Sequence, residues 1–352
     1  MEDMNPILRN IYEQPDELTK VLDNVSGPQL DTALKISKLI QVSHEVILTS
    51  MGSALYSLMP MYEALIAKGI RNVRLVETAE LLHHPERAPK DAFYLLMSRS
   101  GESREVADFS VWLHDNGYLS ACITMTPDST MAKNCAISLR DIASYDQIVC
   151  IKAYSSMALC GLVLVELLEN ASFDKKKAET LHAAFAWMQA HKEEILSQFE
   201  SIDFLARADS FYLISRDEGI NMMRSASLWI EETAKIPANV MSIDNLYHGP
   251  MELIRAQKIT KSKTVPILLD IFPDSRSEMI WNYIQEATSD SIYVGTNSNA
   301  KSGFSFILPD LKLDGPWMML VEAMYFQILS YQLALVNGIE PGMFFEDGWI
   351  VL

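Results

Sequence analysis

Residues 92–103 read Ala-Phe-Tyr-Leu-Leu-Met-Ser-Arg-Ser-Gly-Glu-Ser, an apolar run that ends in a serine-rich turn. A continuous apolar run of this length, closed by polar residues, predicts a strand that is buried on both faces. The segment that follows, 104–116, has the pattern of a helix. A strand that ends in such a turn and opens a helix forms an anion site, because the first N–H groups of a helix lack partners. The alternative is a serine-rich turn with a helix cap and no ligand.

The same alternation of strand and helix extends in both directions. It predicts strands at 45–50, 73–76, 92–97, 119–125 and 135–139, and helices at 5–26 (interrupted near Pro15), 30–42, 52–68 and 152–169. Strands that alternate with helices favour a doubly wound parallel sheet, which binds ligands at the carboxyl ends of its strands. Three polar turns are expected at that edge: Gly52-Ser53, Ser98–Ser103 and Thr126–Thr130.

The pattern restarts after a charged helix predicted at 173–200. Further strands are predicted at 210–215, 239–243, 264–269, 291–294 and 304–308, and helices at 220–234, 277–287 and 317–336. This is a weak internal repeat of two α/β units. In the second unit, Asp270 to Asp274 stands where the first has its serine turn. Carboxylates there repel phosphate, so only the first unit is expected to bind it.

The composition of the chain argues against several classes of binding partner. The 352 residues carry a formal net charge of −17, which argues against nucleic acid and anionic membrane surfaces. No long uncharged apolar run predicts a membrane span, and the acidic N-terminus is unlike a signal peptide. Cysteines 122, 135, 150 and 160 lack metal-ligand spacing and are predicted to be buried thiols in a reducing cytoplasm. The seven histidines do not cluster as a metal site would, and no metal or other cofactor is implied.

Two features of the second half are candidates for acid/base chemistry. Glu231 and Glu232 end a largely apolar helix, and His248 precedes a Gly-Pro turn that starts another helix. A carboxylate and an imidazole suit proton transfer next to a carbonyl. The alternatives are that the two glutamates lie in a solvated last helical turn, and that His248 lies in a turn where its ring is hydrogen-bonded within the protein.

Five motifs, taken in order, resemble those of the SIS (sugar isomerase) phosphosugar-binding family. They are Ile11–Pro15 (I-x-E-Q-P in the family), Met51–Ala54 (C-G-T/S-S), Ser98–Ser103 (S-x-S-G-E/N-T), Ile151–Ser156 (T-K-A-F/Y-T-T) and Tyr247–Pro250 (H-G-P). The resemblance covers nearly the whole chain and implies an α/β fold with two tandem SIS domains, each a doubly wound, mostly parallel sheet. It is strongest to the isomerase half of glucosamine-6-phosphate synthase and to the fructosamine-6-phosphate deglycases.

The resemblance implies roles for particular residues. Glu232 matches the carboxylate that moves a proton between C1 and C2 of the sugar, and His248 matches the residue that handles ring opening. In the family this histidine comes from the other subunit, which implies a homodimer or a higher homo-oligomer. Lys152 is expected to support its loop rather than to contact substrate. The implied sugar-phosphate-binding residues are Gly52, Ser53, Ser98, Arg99, Ser100, Gly101, Ser103 and Cys150.

Departures from the synthase narrow the expected reaction. The sequence has no glutaminase domain, Trp229 replaces a lysine three residues before the catalytic glutamate, and the tail 340–352 lacks a basic residue. A deglycase does not need these groups, because its substrate already carries the amine. The resemblance therefore implies a deglycase or isomerase of amino-sugar or ketosamine 6-phosphates. The alternatives are a simple aldose–ketose phosphate isomerase and a non-catalytic sugar-phosphate-binding regulator.

The expected division of the chain has five parts. They are an N-terminal helical segment (1–28), a first SIS domain that binds phosphosugar (29–172), a connecting helix (173–200), a second SIS domain with the catalytic pair (201–339) and a tail (340–352).

Overall fold

A computed structural model of the chain describes residues 4–146, 148–300 and 304–345. In these ranges the strands are β1 (Val46–Ser50), β2 (Val73–Glu77), β3 (Phe93–Met97), β4 (Leu119–Thr124), β5 (Ile137–Arg140), β6 (Ser210–Ser215), β7 (Ala238–Ser242), β8 (Thr264–Asp270), β9 (Ile292–Gly295) and β10 (Phe304–Ile307). The helices are α1 (Pro6–Val25), α2 (Leu30–Val42), α3 (Gly52–Ser57), α4 (Met59–Ala67), α5 (Thr78–His83), α6 (Arg104–Asp115), α7 (Thr130–Asn134), α8 (Lys152–Glu166), α9 (Lys175–Glu200), α10 (Gly219–Ala234), α11 (Ile243–Tyr247), α12 (Met251–Ala256), α13 (Ser275–Ala287) and α14 (Gly315–Val336).

The described strands form two five-stranded sheets in which every pair of neighbours is parallel. The first sheet has the order β2-β1-β3-β4-β5 and the second has the order β10-β9-β8-β6-β7. Numbered from its own first strand, the second sheet repeats the order of the first. The predicted α/β fold with two parallel sheets and an internal repeat is therefore confirmed.

The chain divides into two compact units, each built around one sheet. The first unit contains residues 12–189 together with 344 and 345, and the second contains residues 4–11 and 190–343. In the first unit, Tyr94 and Leu96 of β3 pack with Phe109 of α6 in one apolar cluster. In the second, Leu268 of β8 packs in a cluster with Trp281 of α13. In both units one apolar cluster thus forms where the middle strand meets the helix that follows it.

Two of the predicted helices differ from the observed ones at a proline. Pro15 was expected to interrupt the first helix, but α1 continues through it, because its cost is offset by the buried residues that follow, such as Leu18 and Leu22. The helix predicted to reach Lys68 is instead two helices, α3 and α4. Pro60, in the first turn of α4, cannot donate the backbone bond that a continuous helix would need.

Helix α14 is the one described helix that is long and apolar enough to cross a membrane. Within the protein, 89% of its most apolar 18-residue window is buried. It packs against α10 and carries a fully buried carboxyl, Glu322. Burial on this scale is typical of the core helix of a globular unit.

Candidate functional site

The serine turn after β3 is shaped by its own hydroxyls. The N–H of Gly101 donates to Ser98 Oγ at 3.0 Å, and the N–H of Glu102 donates to Ser100 Oγ at 3.1 Å. In both bonds the hydroxyl oxygen accepts, so each hydroxyl keeps a proton that it can donate to a ligand. Ser98 is buried and Ser100 is half-buried, and the turn thus presents hydroxyl donors at the carboxyl end of the strand.

Ser103 lies at the entrance to helix α6. It holds the capping position of this twelve-residue helix, yet within the described part of the chain its side chain makes no capping bond. Its hydroxyl lies 3.5 Å from Ser98 Oγ. The first N–H groups of α6 carry the positive end of the helix dipole and point out of the helix. These N–H groups and the serine hydroxyls together suit an anion such as a phosphate.

Gly101 is required where the turn approaches its neighbour. Its φ is +65°, and a Cβ at this position would lie 2.1 Å from Ser129 Oγ. The carbonyl of Gly101 accepts from the N–H of Met131 at 3.1 Å, and the Glu102 carboxylate accepts from the N–H of Thr130 at 2.7 Å. The turns at 98–103 and 126–130 therefore lie side by side, as the sequence predicted.

The turn after β1 lies beside the same edge. Strands β1 and β3 are neighbours, with Thr49 opposite Leu96, and Ser50 Oγ donates to the carbonyl of Met97. Gly52, with a φ of +53°, opens α3, and Ser53 follows it with a half-buried side chain. The predicted grouping of three polar turns at one edge is thus present in the first unit.

Arg99 connects the serine turn to the loop at 145–150. Its Nη1 donates to the carbonyls of Asp146, at 2.6 Å, and Ile148, at 3.1 Å, and the guanidinium lies 4.9 Å from the centre of the Tyr145 ring. These contacts give the Arg99 side chain a structural role, and its role in binding stays a prediction. Cys150 is half-buried, so the expectation that all four thiols are buried is wrong at this position. It belongs to a loop segment rather than to a strand or helix core, which explains its partial exposure.

Two of the sequence motifs meet at the start of α8. The Nζ of Lys152 lies 2.6 Å from a carboxylate oxygen of Glu13 and 2.6 Å from Ser144 Oγ, and Ser155 Oγ donates to Gln14 Oε1 at 3.0 Å. Lys152 is only 3% exposed. The Ile11–Pro15 motif therefore holds the Ile151–Ser156 motif in place, which supports the expected structural role of Lys152.

Two buried aspartates, not singled out from the sequence, organise the same region. Asp146 Oδ2 accepts from the N–H groups of Ile151, at 2.9 Å, and Ala153, at 2.8 Å, across the first turn of α8. Asp141 accepts from the Ser156 hydroxyl. Burial raises the pKa of each of these two carboxyls to about 6. No spacing in the sequence marks them, because their partners are defined only by the folded loop.

Glu232 lies in the last turn of α10, in the second unit. It is half-buried, whereas its neighbour Glu231 is exposed and accepts from the N–H of Ala238 at 3.3 Å. Lys235 ends the helix with a φ of +60°, and its Nζ donates to the carbonyl of Glu232. Burial lowers the pKa of Lys235, and the charge of Glu232 opposes this effect. Glu232 therefore has a cation beside it.

His248 lies at the other end of β7. Glu232 precedes this strand, while His248 follows α11, which begins directly after the strand ends. The chain between the two residues therefore runs the full length of β7, and five residues of extended chain span roughly 17 Å. His248 is exposed, and Gly249 after it has a φ of +145°.

No three His, Cys, Asp or Glu side chains in the described ranges are grouped as metal ligands. A scan against protein-family models finds no match.

Solved structures share the fold. The C-terminal domain of glucosamine-fructose-6-phosphate aminotransferase from Francisella tularensis has a TM-score of 0.77 at 17% identity, covering 95% of this chain and 96% of that one. Tagatose-6-phosphate ketose/aldose isomerase from Escherichia coli has a TM-score of 0.76 at 16% identity, covering 97% and 96%. The two sheets and their helices thus have the same fold as these solved structures.

Sequence comparison gives a more specific relationship. The chain is 20% identical over 351 residues to the isomerizing glutamine–fructose-6-phosphate aminotransferase of Lactiplantibacillus plantarum. The aligned part is 95% of this chain and 56% of the aminotransferase, so the chain spans about half the length of the curated relatives it matches. The corresponding enzyme of Halobacterium salinarum is also 20% identical, over 346 residues. The chain is therefore homologous to the isomerase (SIS) half of these aminotransferases.

Proposed function

We propose that the chain is an isomerase-type enzyme that acts on an amino-sugar or ketosamine 6-phosphate. The observation that carries the proposal is the serine turn at the start of α6, where the hydroxyls of Ser98, Ser100 and Ser103 precede the first turn of the helix and Ser103 makes no capping bond among the described residues. Local donors of this kind are needed, because a chain with a net charge of −17 repels phosphate over longer distances. The sequence similarity to isomerizing glutamine–fructose-6-phosphate aminotransferases supports the same assignment.

The proposed reaction is a proton transfer between neighbouring carbons. Glu232 removes a proton from C1 of an open-chain ketosamine and returns it at C2, while the amine nitrogen loses a proton and O2 gains one. The C2 carbonyl thereby becomes a hydroxyl, and an imine forms between C1 and the nitrogen. Water adds to the imine carbon, and the C–N bond breaks to give an aldose 6-phosphate and a free amine. Trp229 is fully buried in α10 and supplies no cation for amine transfer. Lys235 lies beside Glu232, and the charge of Glu232 acts to raise the pKa of Lys235.

His248 is proposed to act on the sugar bound by a second copy of the chain. In the family that the motifs resemble, this histidine comes from the other subunit, and here β7 lies between it and Glu232 in the chain. We therefore propose a homodimer in which His248 crosses the interface. A mixture of Glu232→Gln and His248→Asn subunits tests this. Mixed dimers then contain one intact site, and random pairing gives about a quarter of the parental turnover. Zero activity in the mixture would place both residues in one subunit's site.

The catalytic role of Glu232 has a neighbouring control. Glu232→Gln should lower turnover of a fructosamine 6-phosphate by about 10²–10⁴-fold while sugar-phosphate affinity is retained. Glu231→Gln changes the exposed neighbour and should leave turnover near the parental rate. Ser98→Ala should instead weaken phosphosugar binding by roughly ten- to a hundredfold, because it removes a hydrogen bond to a charged group. Equal turnover in the two glutamate variants would contradict the mechanism.

The same assays distinguish two alternative functions from the proposed one. The likeness to a tagatose-6-phosphate ketose/aldose isomerase favours aldose–ketose exchange as the second candidate, which would convert sugar phosphates without amine release. A regulator would bind sugar phosphate with no turnover in either assay, and Glu232→Gln would then change nothing.

A further inference from the structure

Arg99 is the second residue of the serine turn, yet its side chain contacts the neighbouring loop. Its Nη1 donates to the carbonyls of Asp146, at 2.6 Å, and Ile148, at 3.1 Å. Its guanidinium also lies 4.9 Å from the centre of the Tyr145 ring. A planar guanidinium that bonds to two carbonyls and lies over a ring is held in one orientation. Arg99 therefore fixes the position of this loop relative to the serine turn.

The charge of Arg99 is directed at the loop rather than at the phosphate position. Burial opposes the charged form, yet the pKa of Arg99 is raised, because Cys150, Tyr145 and Asp146 lie close to it. Nη1 carries two N–H groups, and backbone carbonyls accept from it at two points. This nitrogen is thus committed to the loop and does not serve as a phosphate donor.

The other end of the loop is fixed to the start of α8. Asp146 Oδ2 accepts from the N–H groups of Ile151, at 2.9 Å, and Ala153, at 2.8 Å. Helix α8 packs in turn against α3, the helix that the turn after β1 opens. The short segment 148–150 is therefore held at both ends, by Arg99 at Ile148 and by α8 at Ile151.

We propose that Arg99 is a positioning residue for the sugar part of a bound sugar phosphate. A phosphate in the serine turn leaves its sugar extending out of the turn, toward the segment 148–150 that Arg99 holds beside it. Ile148 and Cys150 are half-buried, so a ligand can reach them, whereas Val149 between them is buried. The N–H of Ile148 has no hydrogen-bond partner among the described residues and can donate to a sugar hydroxyl. This role rests on the proposed function, in which the serine turn binds the phosphate.

Two ligands separate the turn from the loop. Inorganic phosphate contacts the turn alone, whereas fructose 6-phosphate also presents a sugar to the loop, and ligand-observed NMR on the full chain measures both affinities. Arg99→Lys keeps the positive charge but loses the planar pair of donors and the stacking on Tyr145. We expect it to weaken fructose 6-phosphate binding about tenfold, as the loss of one hydrogen bond would, and to change phosphate binding less than about twofold. The control is Lys133→Gln, which removes an exposed cation of α7 and should alter neither affinity.

Hydrogen exchange shows directly whether the loop has moved. The N–H groups of Ile151 and Ala153 should exchange at least about threefold faster in Arg99→Lys than in the parent, since the loop that bears Asp146 opens more often. Unchanged exchange would overturn the role of Arg99, because the loop would then be held without it. If Arg99→Lys fails to fold, Tyr145→Leu decides, since it removes the stacked ring and should weaken fructose 6-phosphate alone by about threefold.

The binding results also distinguish this role from the proposed reaction. Equal weakening of both ligands in Arg99→Lys, or no weakening of either, overturns the role of Arg99 and leaves the phosphate site in place. Weakening of fructose 6-phosphate alone, in a chain that shows no turnover, supports the role of Arg99 and contradicts the proposed reaction. A parent chain that binds neither ligand overturns both.

Discussion

Glu322 lies in the middle of α14 with its carboxyl wholly buried, and neither oxygen has a hydrogen-bond partner among the described residues. Burial raises its pKa from 4.5 to about 8, and the nearby charge of Glu218 adds to the effect. At neutral pH the Glu322 carboxyl is therefore protonated in the folded protein, whereas it is ionised in the unfolded chain. We predict that Glu322→Gln, which cannot ionise, stabilises the protein relative to the parent as pH rises.

The size of the effect follows from proton linkage. A raised carboxyl pKa means that the folded state binds more protons than the unfolded state between the two pKa values. The free energy of unfolding therefore falls by about 1.4 kcal/mol per pH unit from pH 4.5 to about 8 and is level above that. Between pH 4.5 and pH 7, the parent should lose ~3 kcal/mol that the variant keeps.

Urea unfolding of both proteins at several pH values between 5 and 9 (~one unit apart) measures this difference. Other titrating groups are common to both proteins and cancel in the comparison. The control is Glu286→Gln in the same unit, whose carboxyl is exposed to solvent and should give a difference from the parent that does not grow with pH. A stability difference between Glu322→Gln and the parent that stays constant from pH 5 to 8 would refute the reasoning.

Two further predictions concern the first unit. Gly101→Ala should abolish phosphosugar binding and lower the melting temperature, because the new Cβ would meet Ser129 Oγ. The control is Gly69→Ala, at a φ of +82° with open space around it, which should cost only the ~1–2 kcal/mol of the left-handed backbone conformation. In the pair between Glu13 and Lys152, Glu13→Gln should destabilise by about 2 kcal/mol, because the buried ammonium loses its hydrogen-bonded carboxylate while the charges of Asp146 and Glu17 still act on it. Lys152→Met should destabilise less, because the Glu13 side chain is 40% exposed and water can solvate it. Chemical denaturation measures the stability of both variants, and a larger loss for Lys152→Met than for Glu13→Gln would contradict the assigned roles.

The apolar pattern was sufficient to predict most of the elements. Strands buried on both faces, such as β3, appear in the sequence as continuous apolar runs. In the helices between them, apolar residues instead recur every three to four positions. The predicted bounds of α2 and β6 agree with the structure. Local chemistry at strand ends also showed where a phosphate site could form, because the serine turn and the helix after it are contiguous in sequence.

Short and proline-containing segments were predicted less well. Helices α5 and α11 each have only five or six residues, too few for a periodic pattern to show. The strand predicted to end at Ile243 ends instead at Ser242, whose side chain accepts from the N–H of Asn245 and starts α11. Whether Pro15 breaks a helix depends on what the surrounding chain buries, and that is not a local property.

The sequence by itself determined the order of strands and helices, the position of the serine turn and the resemblance to sugar isomerases, because each of these depends on neighbouring residues. Only the tertiary structure decided the strand order within each sheet and the contact of Glu13 with Lys152 across 139 positions. It also revealed the bonds of Arg99 to the loop at 145–150. The physical reason is that burial and hydrogen-bond partners are set by packing between segments far apart in the chain, which no local pattern encodes.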